Sequence, residues 1–255
     1  MRKQMRKNHT FLLKSCHLFT GDLTLPPALL ILGEEKTRGN GNMDLFERIE
    51  KLGVLPVIKI EKAQWAAPLA EALCRGGIPA AEITFRTDAA EEAIRITRKT
   101  RPDMLIAAGT VLTPDQADRA MAAGAECIVS PGLNPAVVAH CVEKGYPVVP
   151  GVCTPSEIEQ GLSFGLKVLK FFPAEASGGL AMIKALSGPY GGVRFMPTGG
   201  VNQNNIAAYL QNKAVLACGG TWMVPGDKLK AGDFAGIEQL VKEAAALIAA
   251  ARKGE

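Results

Sequence analysis

From residue 54 onward, short apolar runs rich in β-branched residues alternate with helical stretches, and the pattern repeats eight times. The strand candidates are VLPVIKI (54–60), AAEITFR (80–86), MLIAAGTV (104–111), CIVSPG (127–132), PVVPGV (147–152), VLKFFPA (168–174), RFMPTGG (194–200) and AVLACGGT (214–221). Their starts lie 20–26 residues apart. Helix-like segments between and after them cover 64–75, 88–100, 114–123, 134–144, 155–164, 179–186, 202–210 and 234–252. Strands that alternate with helices imply a parallel sheet with helices packed over it. Eight such units within residues 43–255 match an α/β fold of a single domain, a (β/α)8 TIM-type barrel of eight parallel strands. The rival is an open doubly wound sheet, but the GxGxxG turn that marks its dinucleotide-binding form is missing after the first strand.

The helix boundaries carry their own signals. Thr113-Pro114, Asn134-Pro135 and Thr154-Pro155 each place a capping side chain before a proline at the first helical position. Gly124, Gly145 and Gly165 stand where those helices should stop. Ahead of the first strand, Asp44-Leu45-Phe46-Glu47 reads as a capping box. Leu45, Ile49 and Leu52 then form a helical stripe, and Gly53 ends it.

The formal charge of +4 invites a nucleic-acid or membrane reading until it is located. Residues 1–42 hold seven Lys and Arg against three acids, while the rest of the chain holds 22 of each. Those 42 residues also lack the strand–helix rhythm. They open on MRKQMRKNHT, continue through FLLKSCHLF, which Lys14 interrupts, and LTLPPALLILG, and show no small-x-small cleavage pattern. Residues 1–42 are therefore expected to be a disordered or loosely packed extension, or a mis-assigned start ahead of Met43. No run reaches the ~18–20 consecutive apolar residues of a membrane span. Neither nucleic acid nor membrane is expected as a partner. The six cysteines are scattered, without a CxxC pair, which fits reduced thiols in a cytoplasm. The three histidines show no metal-ligand spacing, so no metal is expected.

A barrel gathers its chemistry at the C-terminal ends of its strands. Lys170 is the unusual residue there, flanked by Val168, Leu169, Phe171 and Phe172. Burial penalises a charged amine, and a neutral amine attacks carbonyl carbon to form a Schiff base. The plainer alternative is a lysine that snorkels to the strand end or joins a structural ion pair. Glu82, Thr84 and Arg86 share one face of their strand by the period-two rule. Glu82 on an inward face is a candidate proton shuttle beside that amine, or half of a buried salt bridge. Arg86, nearer the rim, is suited to a substrate carboxylate. Thr110 offers a hydroxyl, and Pro131 a rigid apolar wall. The pairs Gly199-Gly200 and Gly219-Gly220, the second followed by Thr221, fall at strands seven and eight. Loops there often hold phosphate through exposed backbone N–H groups, although glycine pairs also simply make turns.

The runs EITFRT (82–87), AAGTVLTP (107–114), SPGLN (130–134), KFFPAE (170–175), MPTGGV (196–201) and GGTWMVP (219–225) resemble the 2-keto-3-deoxy-6-phosphogluconate (KDPG) aldolases, a family also named for 4-hydroxy-2-oxoglutarate. The resemblance runs from about residue 44 to the C-terminus, in one order and at the expected strand ends. It implies a class I aldolase that needs no metal or other cofactor, with pyruvate as one product. It implies that Lys170 attacks the C2 ketone of a 2-keto acid and that Glu82 serves as general acid and base. Arg86 and Thr110 would hold the carboxylate, Pro131 and Phe172 would wall the pocket, and Thr198 would lie near the middle of the substrate. Gly199, Gly200, Gly219, Gly220 and Thr221 would take the phosphate; the family often has Ser at the last position. The family is commonly a homotrimer. Spacing alone leaves two other readings open: a phosphosugar epimerase or isomerase, and a barrel that binds a ligand without turning it over.

Overall fold

The computed structural model describes residues 43–253, and the expectation for residues 1–42 lies outside them. Helix α1 (Leu45–Leu52) opens on the expected capping box, with the Asp44 and Glu47 side chains each taking a backbone N–H of the other's end. It stops at Gly53, whose φ of +75° is left-handed. The described residues, 43–253, form one compact unit.

Strand β1 (Val54–Ile58) pairs in parallel with β2 (Ala80–Thr84), β2 with β3 (Leu105–Gly109), β3 with β4 (Cys127–Val129) and β4 with β5 (Val148–Val149). On its other side β1 pairs with β9 (Cys218–Gly220), completing a six-stranded sheet. A second, three-stranded parallel sheet contains β6 (Gly151–Val152), β7 (Val168–Phe171) and β8 (Arg194–Pro197). The α/β class and the parallel sense match the sequence pattern. The count does not, because the single strand expected over 147–152 divides at Pro150 into β5 and β6. Proline has no N–H to give to a ladder, so the strand leaves one neighbour and joins another. The Pro150 carbonyl still accepts the Lys170 N–H, at 2.9 Å. Isolated parallel bridges link Phe195 to Val215 and Thr198 to Gly219, so β8 also approaches β9.

Most strands are shorter than the apolar runs. Residues 59–60, 85–86, 110–111, 130–132, 172–174 and 199–200 lie beyond the C-terminal ends of the strands, in loops. Four of them contain Thr110, Pro131 and Gly132, Pro173, and Gly199 and Gly200; glycine and proline favour turns over continued pairing.

The helices are α2 (Ala66–Arg75), α3 (Ala90–Thr100), α4 (Pro114–Ala123), α5 (Pro135–Lys144), α6 (Pro155–Ser163), α7 (Gly179–Ser187), α8 (Ile206–Leu210), α9 (Gly226–Ala231) and α10 (Phe234–Lys253). Thr113, Asn134 and Thr154 cap α4, α5 and α6 by accepting the N–H groups of Gln116, Ala136 and Glu157. The helix expected over 202–210 begins only at Ile206. The Asn202 and Asn205 side chains take the local N–H groups of Asn204 and Asn202 instead, at 2.9 and 2.8 Å, and compete with a helical turn. Helix α9 was not foreseen; it is short and runs between Pro225 and Gly232. No helix among the described residues is long and apolar enough to cross a membrane.

Every residue of β1, β2 and β3 is buried. Small side chains dominate β2 and β3 (Ala80, Ala81, Ala107, Ala108), while Phe171 and Phe195 meet edge to face at 6.3 Å between β7 and β8. Such interdigitation of small and large residues fills a sheet interior at close-packed density. The two buried residues of ordinarily charged type among the described residues, Glu82 and Lys170, lie inside this apolar frame, and they locate the site.

Candidate active site

Glu82 stands at the middle of β2 and is 1% exposed; Lys170 stands near the end of β7 and is 6% exposed. The two strands belong to different sheets, yet Lys170 Nζ donates to Glu82 Oε1 at 3.2 Å. A buried carboxylate and a buried amine tolerate each other only when paired. Gly109 at the end of β3 makes the room: a Cβ there would collide with Glu82 Oε1. The Phe172 ring lies 5.4 Å from Lys170 Nζ, a cation–π distance that adds a wall without adding an acceptor.

A cavity of about 250 Å³ opens above this pair, lined by the strand-end residues singled out from the sequence. Arg86, Thr110, Pro131, Phe172 and Thr198 line it, together with Glu82 and Lys170 themselves. Gly199, Gly200, Gly219, Gly220 and Thr221 line it as well. All twelve predicted positions therefore meet in one place, although they come from six strand ends.

Three further residues line the cavity: Val57, Val201 and Thr84. Thr84 has the clearest task. Its hydroxyl donates to the Ile58 carbonyl at 2.9 Å and accepts from Arg86 Nε at 3.1 Å. The proton is committed to one side, so the lone pair must face the guanidinium, and Arg86 is aimed by a buried relay. The alternation of Glu82, Thr84 and Arg86 contained that signal. Val57 carried none, because an apolar residue in an apolar strand is indistinguishable from core.

Thr110 holds φ at +55°, in the left-handed region that β-branched residues avoid. The cost is about 1–3 kcal/mol and has to be met by the surroundings. On one side the Phe85 N–H donates to the Gly109 carbonyl at 2.7 Å, and on the other the Val111 N–H donates to the Val129 carbonyl at 3.2 Å. Strain retained at a pocket wall fits a residue whose hydroxyl has to be presented in one direction.

The glycine pair after β8 is held by its carbonyls. The Gly199 carbonyl accepts the Glu175 N–H at 3.0 Å, and the Gly200 carbonyl accepts the carboxamides of Asn202 and Asn205 at 2.9 and 3.1 Å. Among the described residues, no protein acceptor takes the N–H groups of Gly199 and Gly200. Two N–H donors at a pocket wall form a site for an anion.

His140 lies on α5 and meets Asp118 at 2.8 Å, away from the cavity. Cys127, Cys141 and Cys218 are buried and free. Burial pushes the thiols of Cys127 and Cys218 well above the usual range and that of Cys141 up to about 11, which removes them as nucleophiles. No group of three or more His, Cys, Asp or Glu side chains among the described residues is placed to hold a metal ion.

The chain matches the family model for KDPG and KHG aldolase over residues 45–240. A Treponema pallidum protein named 2-dehydro-3-deoxy-phosphogluconate aldolase is 52% identical over 199 residues, which is 78% of this chain and 95% of that one. The structure of KDPG aldolase from Legionella pneumophila, with pyruvate captured at low pH as a covalent carbinolamine, superposes with a TM-score of 0.76 at 40% identity; the match covers 79% of this chain and 98% of that one. The Zymomonas mobilis enzyme with 3-phosphoglycerate also gives a TM-score of 0.76, at 41% identity over 80% of this chain and 96% of that one. With the family's motifs at its strand ends and its fold around them, this chain belongs to the KDPG and KHG aldolase family.

Proposed function

We propose that the chain is a class I aldolase that cleaves KDPG to pyruvate and D-glyceraldehyde 3-phosphate, and 4-hydroxy-2-oxoglutarate to pyruvate and glyoxylate as a second activity. The observation that carries this reading is the buried Lys170–Glu82 pair beneath the strand-end cavity. The Lys170 amine attacks the C2 carbonyl carbon and forms a carbinolamine. Loss of water gives an iminium, and this cation is the electron sink for the next step. A base removes the C4 hydroxyl proton, the C3–C4 electrons move into the iminium, and the aldehyde departs. The remaining enamine takes a proton at C3, and water releases pyruvate and returns the amine. Glu82 carries the protons between these steps, since its carboxylate lies within hydrogen-bond reach of the nitrogen.

Arg86, aimed by Thr84, and Thr110 hold the pyruvyl carboxylate. Pro131 and Phe172 exclude water around the reacting carbons, and Thr198 lies beside the middle of the chain. Gly199, Gly200, Gly219, Gly220 and Thr221 take the phosphate; the N–H groups of the first pair support this, as does the place of all five in the cavity lining. The eight strand–helix units close into a barrel on this reading, and the bridges from Phe195 to Val215 and from Thr198 to Gly219 support closure. Residues 43–255 are the catalytic unit, supported by the family match over residues 45–240. The working form is a cytoplasmic homotrimer, a reading supported by the family resemblance alone.

The direct test is release of pyruvate from synthetic KDPG by the purified protein; no pyruvate from KDPG or 4-hydroxy-2-oxoglutarate would refute the assignment. Two variants probe the two ends of the substrate. Thr221→Ala raises KM for KDPG about tenfold or more, the loss of a hydrogen bond to a charged group, and leaves KM for 4-hydroxy-2-oxoglutarate nearly unchanged. Equal effects on both substrates would remove Thr221 from the phosphate site. Thr84→Val raises KM about fivefold for both substrates, because Arg86 loses its guide, while Thr84→Ser keeps the hydroxyl and the affinity. A valine variant with unaltered KM would show that Arg86 needs no guide.

A further inference from the structure

Glu175 closes the KFFPAE run, yet the reaction as derived gives it no task. It lies where the loop after β7 meets the glycine pair after β8. Its N–H donates to the Gly199 carbonyl at 3.0 Å, and the Ala174 N–H donates to the Thr198 carbonyl at 2.8 Å. Its side chain lies against Gly200: a Cβ on that glycine would come within 2.5 Å of Glu175 Cγ and 2.6 Å of Glu175 Cβ. Gly200 also has φ of +85°, so both its conformation and its contact require the absence of a side chain.

The far end of Glu175 is anchored as well. Tyr209, from α8, donates its hydroxyl to Glu175 Oε1. Tyr209 is only 2% exposed, so its ring is fixed by packing, whereas Glu175 lies at the surface. Burial, followed by the neighbouring Glu175 carboxylate, pushes the Tyr209 phenol well above its usual range, and it remains a donor through neutral pH. From the other direction Asn202 and Asn205 hold the Gly200 carbonyl. The loop is thus gripped at both carbonyls and along one flank, while its N–H groups are left without a protein acceptor among the described residues.

We infer that Tyr209 and Glu175 form a strap that holds the Gly199-Gly200 loop in its anion-binding shape, and that these two positioning residues set the preference for phosphorylated over unphosphorylated substrate. The inference rests on the assignment of that loop to the phosphate. Its physical basis is preorganisation. Two N–H donors bind an anion well when their spacing is set before it arrives, and a loop that must be ordered on binding gives up affinity.

Tyr209→Phe removes the donor and keeps the ring. Cleavage of KDPG and of 4-hydroxy-2-oxoglutarate is compared, with inorganic phosphate as a competing inhibitor of the first reaction. The expected result is a KM for KDPG about fivefold higher and phosphate inhibition about fivefold weaker, with kcat on both substrates and KM for 4-hydroxy-2-oxoglutarate changed by less than about twofold. Glu175→Gln keeps the methylenes over Gly200 and an oxygen for Tyr209, and retains the affinity for KDPG. Glu175→Ala loses both and reproduces the Tyr209→Phe defect. Equal losses on the two substrates would mean a general structural role and overturn the strap. Phosphate that competes in the unaltered protein and competes equally well in Tyr209→Phe would overturn the strap alone. Phosphate that fails to compete in the unaltered protein would overturn the phosphate site, and the strap with it.

Discussion

Lys170→Ala lowers the rate of KDPG cleavage by ~10^5-fold or more, the scale on which loss of a covalent nucleophile acts. No other residue in the cavity replaces it. Arg86 also lines the cavity, but a guanidinium stays protonated and forms no iminium. The substitution has a second effect, on stability. Glu82 is 1% exposed and would be left inside the apolar frame without its cation. Breaking a buried pair on one side costs about 3–5 kcal/mol, so the variant should melt well below the unaltered protein. Lys170→Arg separates the two effects. It keeps a cation beside Glu82 and cannot form the Schiff base, so it should recover much of the stability and none of the activity. The covalent step is read directly by adding pyruvate and borohydride and mapping the peptide that carries Lys170. One reduced pyruvyl adduct per chain on Lys170 is expected, and none in either variant. An adduct elsewhere, or no adduct on the folded protein, would refute the nucleophile.

Glu82→Gln lowers kcat by ~10²–10⁴-fold, the usual worth of a positioned general acid and base. The amide has nearly the same volume and still offers an oxygen to Lys170 Nζ, which lies 3.2 Å from the carboxylate oxygen it replaces. Packing and the position of the amine are therefore retained, and only the proton carrier is lost. Pyruvate should still be trapped on Lys170 by borohydride, more slowly. KM should change little, because Arg86, Thr110 and the glycine loops are untouched. A kcat within a few-fold of the unaltered protein, measured under conditions where chemistry limits turnover, would show that Glu82 is only the counter-ion of Lys170.

The site was legible to an unusual depth because its residues mark strand ends. Runs such as EITFRT and KFFPAE combine a buried strand with polar or turn-forming residues at its C-terminal edge, and this juxtaposition is local in sequence. Capping residues were legible for the same reason: Thr113, Asn134 and Thr154 act on N–H groups within three residues of themselves. Failures occurred where a local rule met a competing partner. Pro150 divides a strand that its apolar neighbours would continue, and Asn202 and Asn205 delay a helix by taking backbone groups into a turn. Thr84 was seen on the correct face without a task, because its task depends on Ile58, 26 residues away.

By itself the sequence determined the element types, their parallel order, the strand ends that carry polar groups, and the family to which those motifs belong. These follow from periodicity, turn chemistry and caps, all of which act over a few residues. The tertiary structure decided that Lys170 meets Glu82, 88 residues away, that Gly109 clears the space for the carboxylate, and that Tyr209 reaches Glu175 beside the glycine loop. Period two tells which side chains share the face of one strand. Which faces then meet depends on the twist and order of strands in two sheets, and only the folded chain sets that distance.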